Sequence, residues 1–225
     1  MKIIKPTYEI LTFISENGIQ ELKFIEKIGR ECYKSGDRIT EDGESAKKFV
    51  KMLVDKHHEA MIEHSQLSVM FTVDRGVSHE LVRHRLASFA QESTRYCNYS
   101  KDKFNNEINV IDISDGIILD KKMSNLDSTI ILEVMCEWYK AMEDAEKHYM
   151  RMIALGATPQ IARSVLPNST KTSIVVTANY REWRNIFSLR SPISAHPQMR
   201  EMIIPLLKDI QTKIPIIFDD IEVTE

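Results

Sequence analysis

Apolar residues recur every three to four positions along IQELKFIEKIGRECY (19–33) and SAKKFVKMLVDKHHEAM (45–61), the period of helices with one buried face. SQLSVMFTV (65–73) alternates instead and predicts a strand, as does EILTFI (9–14). TKTSIVVTANY (170–180) carries the strongest strand pattern in the chain. Ser45 is placed to cap the second helix, and Ser78 to cap a third over SHELVRHRLA (78–87). STRYCNYS (93–100) reads as extended, and NVIDI (109–113) as a short strand within an irregular segment. LDSTIILEVMCEWYKAMEDAEKHYMRMIALG (126–156) predicts one long amphipathic helix closed by Gly156. In TPQIARSVL (158–166) Thr158 suits the N-cap and Pro159 the first helical position. REWRNIFSLR (181–190) and PQMREMIIPLLKDIQTKI (197–214) are the last helices, the second interrupted at Pro205. Strands and helices do not alternate regularly. The pattern predicts an α+β fold, one domain over residues 1–225, with a mixed or antiparallel sheet flanked by helices.

Composition narrows the class. The chain has 225 residues, 43% of them hydrophobic and 28% charged, which is ordinary for a globular domain. No apolar run reaches bilayer length, and MKIIKPTYEI lacks a signal core, so a cytoplasmic protein is expected. Cys32, Cys97 and Cys136 are scattered and form no CxxC pair, which argues against zinc knuckles and disulfide frameworks. A net charge of −3 argues against a general nucleic-acid binder. There is no GxGxxG and no GxxxxGK[ST], hence no Rossmann turn or P-loop. Any nucleotide phosphate must be met by side chains.

Against that acidic background RHRLASFAQESTRY (83–96) concentrates cations and hydrogen-bonding groups. Cations at a helix C-terminus complement its dipole, which accounts for one or two of Arg83, His84 and Arg85. It does not account for Arg95, nor for Gln91 and Ser93. Arginine forks bind phosphate bidentately, and a hydroxyl and an amide read polar ring edges, so the set points to an anion site for a nucleotide. A second cluster, NYREWRNIFSLRSPISAH, holds Asn179, Arg181, Arg184, Asn185, Arg190 and His196. Asn179 sits where an N-cap belongs, with Glu182 three residues later as in a capping box. Arg181 and Asn185 share a helix face at i, i+4. HHEAMIEH (57–64) does not match HExxH, so no metal site is assigned. Cys97 lies near the arginines, yet a packed strand cysteine is the simpler reading.

Arg83-His84-Arg85, followed after seven residues by Ser93 and Arg95, resembles the signature of the flavin-dependent thymidylate synthases. DRGVSHELVRHR, IARSVLP and TANYREWRNIFSLR resemble further stretches of that family in the same order, so most of residues 57–200 is covered. The resemblance implies reductive methylation of dUMP, with 5,10-methylenetetrahydrofolate as carbon donor, FAD as hydride carrier and NADPH as reductant. It implies FAD contacts from Arg83, His84, Arg85, Gln91, Asn179, Arg181, Asn185 and His196. It implies a dUMP site of Arg75, Glu80, Arg83, Gln91, Ser93, Thr94, Arg95, Arg163 and Arg190, with Arg190 favouring ionisation of the uracil ring. It further implies a homotetramer with active sites shared between subunits, and no catalytic cysteine. Glu80 and Gln91 exchange the amide and the carboxylate found in some members, Ala60 replaces a hydroxyl, and two extra residues follow Arg190. The competing readings are a nucleotide- or RNA-binding module built on the same arginines, and a metal-dependent hydrolase built on His57, His58 and His64.

Overall fold

The structure is a computed structural model and describes residues 1–223. Strands β1 (Lys2–Ile4) and β2 (Thr7–Ile10) lead into helices α1 (Ile19–Glu31) and α2 (Glu44–Asp55). Then come β3 (Gln66–Asp74), α3 (Arg75–Leu81), β4 (Ala87–Gln91), β5 (Asn109–Ile111) and α4 (Ser114–Leu119). The long helix α5 (Ser128–Ala154) precedes α6 (Pro159–Ala162), β6 (Lys171–Asn179), α7 (Tyr180–Arg190) and α8 (Pro197–Lys213). One sheet has the order β2-β3-β6-β4 and is antiparallel; β1 and β5 pair in parallel. The α+β expectation therefore holds.

The elements form where the apolar period commands them. β3 buries Leu67, Val69, Phe71 and Val73, and β6 buries Thr172, Ile174, Val176 and Ala178, alternate residues in each case. α1 buries Leu22 and Ile25, and α2 buries Ala46, Val50, Leu53 and Val54, at three- and four-residue steps. Gly156 closes α5 at φ +94°, a conformation that suits glycine.

Several local expectations are corrected. The first long strand spans Thr7–Ile10 rather than 9–14. The N-cap of α2 is Gly43, and the Ser45 hydroxyl instead donates to Glu26 at 2.8 Å. The third helix starts at Arg75, because the Asp74 carboxylate accepts from Val77 N at 2.6 Å and caps it. Ser78 lies inside that helix and its hydroxyl donates to the Arg75 carbonyl. The helix stops at Leu81, and residues 87–91, expected to begin in helix, form β4. Val82 and Leu86 are 39% and 75% exposed, so no apolar face rewards continuing the helix. Residues 93–97 make a tight turn rather than an extended run, with Tyr96 and Cys97 both donating to the Ser93 carbonyl. α8 continues through Pro205, since burial of Met202, Ile203, Leu206 and Leu207 outweighs the one lost backbone bond.

The chain divides into two compact units whose sequences interleave. Unit 1 comprises residues 1–8, 70–83 and 89–175. Its core packs Tyr99, Ile108, Val110, Met142, Tyr149 and Ala162, with the Tyr99 ring 5.2 Å from Phe104 and 5.8 Å from Tyr149. α5 turns Met142 and Tyr149 inward and leaves Ile130, Leu132, Val134 and Tyr139 exposed. Unit 2 comprises residues 9–69, 84–88 and 176–225. Its aromatic core sets Trp183 against Phe187, with Phe218 edge-on to Tyr180 and Phe187. Trp183 donates from its indole to the Leu67 carbonyl at 2.9 Å, so this large ring is buried without an unpaired N–H.

Candidate functional site

The residues expected to bind dUMP fall almost entirely in unit 1. α3 carries Arg75 and Glu80, and Arg83 lies exposed in the turn after it. The Arg75 backbone N–H is tied to the Asn168 carbonyl at 2.8 Å, and its buried Nη1 atom has no protein acceptor. Gln91, at the end of β4, donates to the hydroxyls of Ser78 at 2.9 Å and Thr172 at 3.2 Å. The next residue anchors the turn. Glu92 N donates to the Ser173 carbonyl at 2.8 Å, and its carboxylate accepts from Lys171 at 2.7 Å and Tyr99 at 2.9 Å. Burial, reinforced by Glu92, pushes the Tyr99 hydroxyl well above its usual range, so it stays a donor.

From that anchored turn Ser93, Thr94 and Arg95 project. The buried Thr94 hydroxyl accepts from Arg163 Nη1 at 3.3 Å, and Arg95 Nε donates to Gln160 at 3.2 Å. The Ser93 hydroxyl accepts from Arg95 N at 3.3 Å. Arg163, Arg95 and Arg83 are exposed, and none is ion-paired to a carboxylate among the described residues. Elsewhere on the molecule arginines do find acids: Arg30 pairs with Glu26, and Arg184 with Glu59 and Asp220. Of the three without an acid, Arg95 and Arg163 lie at the Ser93–Cys97 turn, and cations left uncompensated there favour an anion with several acceptor oxygens.

The residues expected to hold flavin belong, with Arg190, largely to unit 2. A cleft of about 610 Å³ is lined by Asn179, Arg181, Asn185 and Arg184, together with Glu59, Glu63, Leu86, Glu182 and Ser188. α7 positions most of them. Asn179 caps its first turn by accepting from Glu182 N at 2.8 Å, the capping role its sequence position predicts. One helical turn on, Asn185 returns to the Glu182 carboxylate at 3.2 and 3.3 Å. Arg181 is engaged by Glu63 at 2.5 Å and Glu59 at 3.3 Å, so it meets a ligand as part of an ion-paired group.

Arg184 is buried and takes Asp220 in a bidentate grip at 2.6 and 2.7 Å. Arg184 holds the Asp220 carboxyl below its ordinary range, against the opposing effect of burial. Arg184 also donates to the Ile217 carbonyl.

His84 is buried, its Nδ1 3.1 Å from Glu182 Oε1, and its Nε2 accepts from Arg190 Nε at 3.1 Å. Burial, then the Arg190 charge, hold this imidazole below its usual pKa in spite of Glu182. Arg85 is exposed in the turn before β4, and His196 is the N-cap of α8; neither lines the 610 Å³ cleft.

A second cavity of about 420 Å³ is lined by Ala60, His57, His58, Tyr33, Phe49 and Met61, with Glu59 and Arg181 common to both. No group of three or more His, Cys, Asp or Glu is arranged to hold a metal ion among the described residues.

The residues that sequence reasoning missed are the acids. Glu182 was legible only as a capping partner, and Glu59 and Glu63 only as part of a histidine-rich run. Their i, i+4 spacing (Glu59, Glu63) was the available signal, but their arginine partners lie more than a hundred positions away.

The donor and acceptor set suits the ribityl chain and ring of a flavin. Carboxylates and carboxamides pair with ribityl hydroxyls and ring N–H groups, while Arg181 and Arg184 are already ion-paired to Glu59, Glu63 and Asp220. The volume lies in the usual range for small-molecule sites.

The mixed α/β fold is shared with a solved protein. The crystal structure of a UMP/dUMP methylase, PolB from Streptomyces cacaoi bound with 5-Br dUMP, superposes with a TM-score of 0.79. It is 19% identical and covers 97% of this chain and 96% of its own. Residues 17–216 match the family described as thymidylate synthase complementing protein. The flavin-dependent thymidylate synthase of Mycobacterium sp. (strain KMS) is 30% identical over 208 residues, 88% of this chain and 79% of that protein. The enzyme of the same name from Corynebacterium aurimucosum is 28% identical over 218 residues, 94% and 84% of the two chains. The chain belongs to this family, that of the flavin-dependent thymidylate synthases.

Proposed function

We propose that the chain, acting as a single domain over residues 1–225, converts dUMP to dTMP. The carbon donor is 5,10-methylenetetrahydrofolate and the reductant NADPH, and the work is done in the cytoplasm. Bound FAD supplies the hydride that completes the methyl group. The observation that carries this reading is the turn at Ser93, where Arg95 and Arg163 have no acidic partner among the described residues, in a chain of this family. Arg95 and Arg163 bind the nucleotide phosphate, and Ser93 and Gln91 orient the nucleotide. Arg75, with a buried Nη1 that has no protein acceptor, supplies a further donor, and Glu80 and Thr94 complete the set. Arg190 stabilises negative charge that develops on the uracil ring, since a fixed cation in a dry site is worth far more than in water. Asn179, Arg181 and Asn185 hold the flavin with His84, Arg83, Arg85 and His196. No thiol is required: Cys32 and Cys136 are exposed, and Cys97 packs against the unit 1 core.

We also propose a homotetramer in which one subunit supplies Arg190 and another Ser93, Arg95 and Arg163. Support comes from α5, a 27-residue helix whose Ile130, Leu132, Val134 and Tyr139 stay exposed. The deciding experiment mixes purified protein with FAD, NADPH, methylenetetrahydrofolate and dUMP. Expected are a perturbed flavin spectrum that changes again on adding dUMP, and dTMP as product. A protein that leaves flavin absorbance unchanged and forms no dTMP would overturn the reading.

A further inference from the structure

Glu182 has no part in the chemistry described so far, yet it is 6% exposed and its carboxylate is fully engaged. Asn185 reaches both of its oxygens, and Oε1 lies 3.1 Å from His84 Nδ1. On the far side of the same ring, Arg190 Nε donates to His84 Nε2 at 3.1 Å. A neutral imidazole has one N–H and one lone pair. Arginine cannot accept, so Nε2 must carry the lone pair and Nδ1 the proton, which points at the Glu182 carboxylate. The opposite tautomer would set two donors face to face at Arg190 and two acceptors face to face at Glu182. A doubly protonated ring would again oppose Arg190. Burial and the Arg190 charge both disfavour that cation.

We propose that Glu182 is a positioning residue for Arg190 and acts through His84. The carboxylate fixes the tautomer and the plane of the imidazole, and the fixed Nε2 lone pair holds the Arg190 guanidinium by its Nε. The chemical consequence rests on the thymidylate synthase reading, in which Arg190 meets the uracil ring. The relay itself does not, because all three residues sit in unit 2 and are joined without a ligand. Glu182 thus couples two proposed contacts of one helix, α7. It orders the amide of Asn185 in the proposed flavin cleft and, through the ring, the arginine of the proposed pyrimidine site.

The test is nitrogen NMR of histidine- and arginine-labelled protein without substrate, followed by steady-state turnover of dUMP. In the wild type, His84 is expected to show a protonated Nδ1 and a pyridine-like Nε2, and Arg190 a slowly exchanging Nε–H. Glu182→Gln keeps an oxygen that accepts the Nδ1 proton, so both signals and most of the turnover should survive. Glu182→Ala should broaden the Arg190 Nε–H and lower turnover about tenfold, the worth of one positioning hydrogen bond. An Arg190 signal unchanged in Glu182→Ala, or a wild-type His84 protonated at Nε2, overturns the proposal. Should Glu182→Ala not fold, the wild-type tautomer and the Glu182→Gln spectrum still decide it. A relay that is present in a wild type unable to methylate dUMP supports the relay and overturns the enzymatic reading instead.

Discussion

Arg190 donates through its Nε to the imidazole of His84 at 3.1 Å. If it acts on the pyrimidine, Arg190→Ala should weaken dUMP binding or turnover roughly ten- to a hundredfold, the worth of a charge-assisted hydrogen bond of about 1.5–3 kcal/mol. Flavin affinity should change less, and a flavin titration beside dUMP kinetics separates the two. The same ring gives a stability prediction. The folded pKa of His84 lies below its ordinary value, so on acidification the unfolded chain takes up the proton first. Stability is therefore fully present above the unfolded histidine pKa and declines as pH falls through the folded value. Urea midpoints at about pH 7.5 and about pH 5.5 should differ more for the wild type than for His84→Asn, whose amide does not titrate in that window. Equal differences would remove His84 from the linkage. Single residues were also where the sequence spoke least evenly. The cations announced themselves by density. The carboxylates that organise them did not, because Glu63, Glu59 and Asp220 matter through partners remote along the chain.

Among the elements, α7 carries the greatest density of proposed function, and its first turn depends on Asn179. Replacing that residue by alanine removes the acceptor for Glu182 N and should cost about 1 kcal/mol of stability. Asn179→Asp retains the cap, since aspartate serves as well as asparagine there, but it adds negative charge to the cleft lined by Glu59 and Glu63. Denaturation should rank alanine below aspartate and wild type, whereas flavin titration should show both variants impaired. Flavin binding that survives intact in Asn179→Asp would take this residue out of the cofactor site. α7, β3 and β6 were readable in advance because period and capping agree there. The stretch from 78 to 100 was misread because its shape is set by polar contacts: the Asp74 cap, the inward Ser78 hydroxyl and the Glu92 bridge to Lys171 and Tyr99. Periodicity carries no trace of such bonds. Pro205 misled in the opposite sense, because burial on either side of it outweighed the break.

For the whole molecule, the proposed dUMP residues fall in unit 1 apart from Arg190, which lies in unit 2 with most of the proposed flavin residues. A homotetramer with shared sites predicts complementation. Arg95→Ala and Arg190→Ala should each be weak alone. Subunit-exchanged mixtures should contain some sites with neither lesion and recover part of the activity, because a symmetric assembly repeats the same contribution at every site. A fully active monomer, or exchanged mixtures no better than the mean of the two variants, would rule out shared sites. The arithmetic of the fold class was legible in sequence, since irregular alternation excludes a doubly wound sheet. The interleaving of two units was not, because it depends on which distant segments return to each other.

That interleaving gives the order of manufacture a physical meaning. Every residue of unit 1 has been polymerised once Val175 is in place, whereas unit 2 still lacks residues 176–225. Arg184 is made 36 positions ahead of Asp220, its bidentate partner. At about 5–20 residues/s a nascent chain carries that guanidinium with Glu59 as its one carboxylate partner for roughly 2–7 s. Trp183 and Phe187 meanwhile wait for Phe218. A transcript truncated shortly before codon 217 should therefore yield a half-finished particle: every residue of unit 1 present, unit 2 sticky and dependent on chaperones.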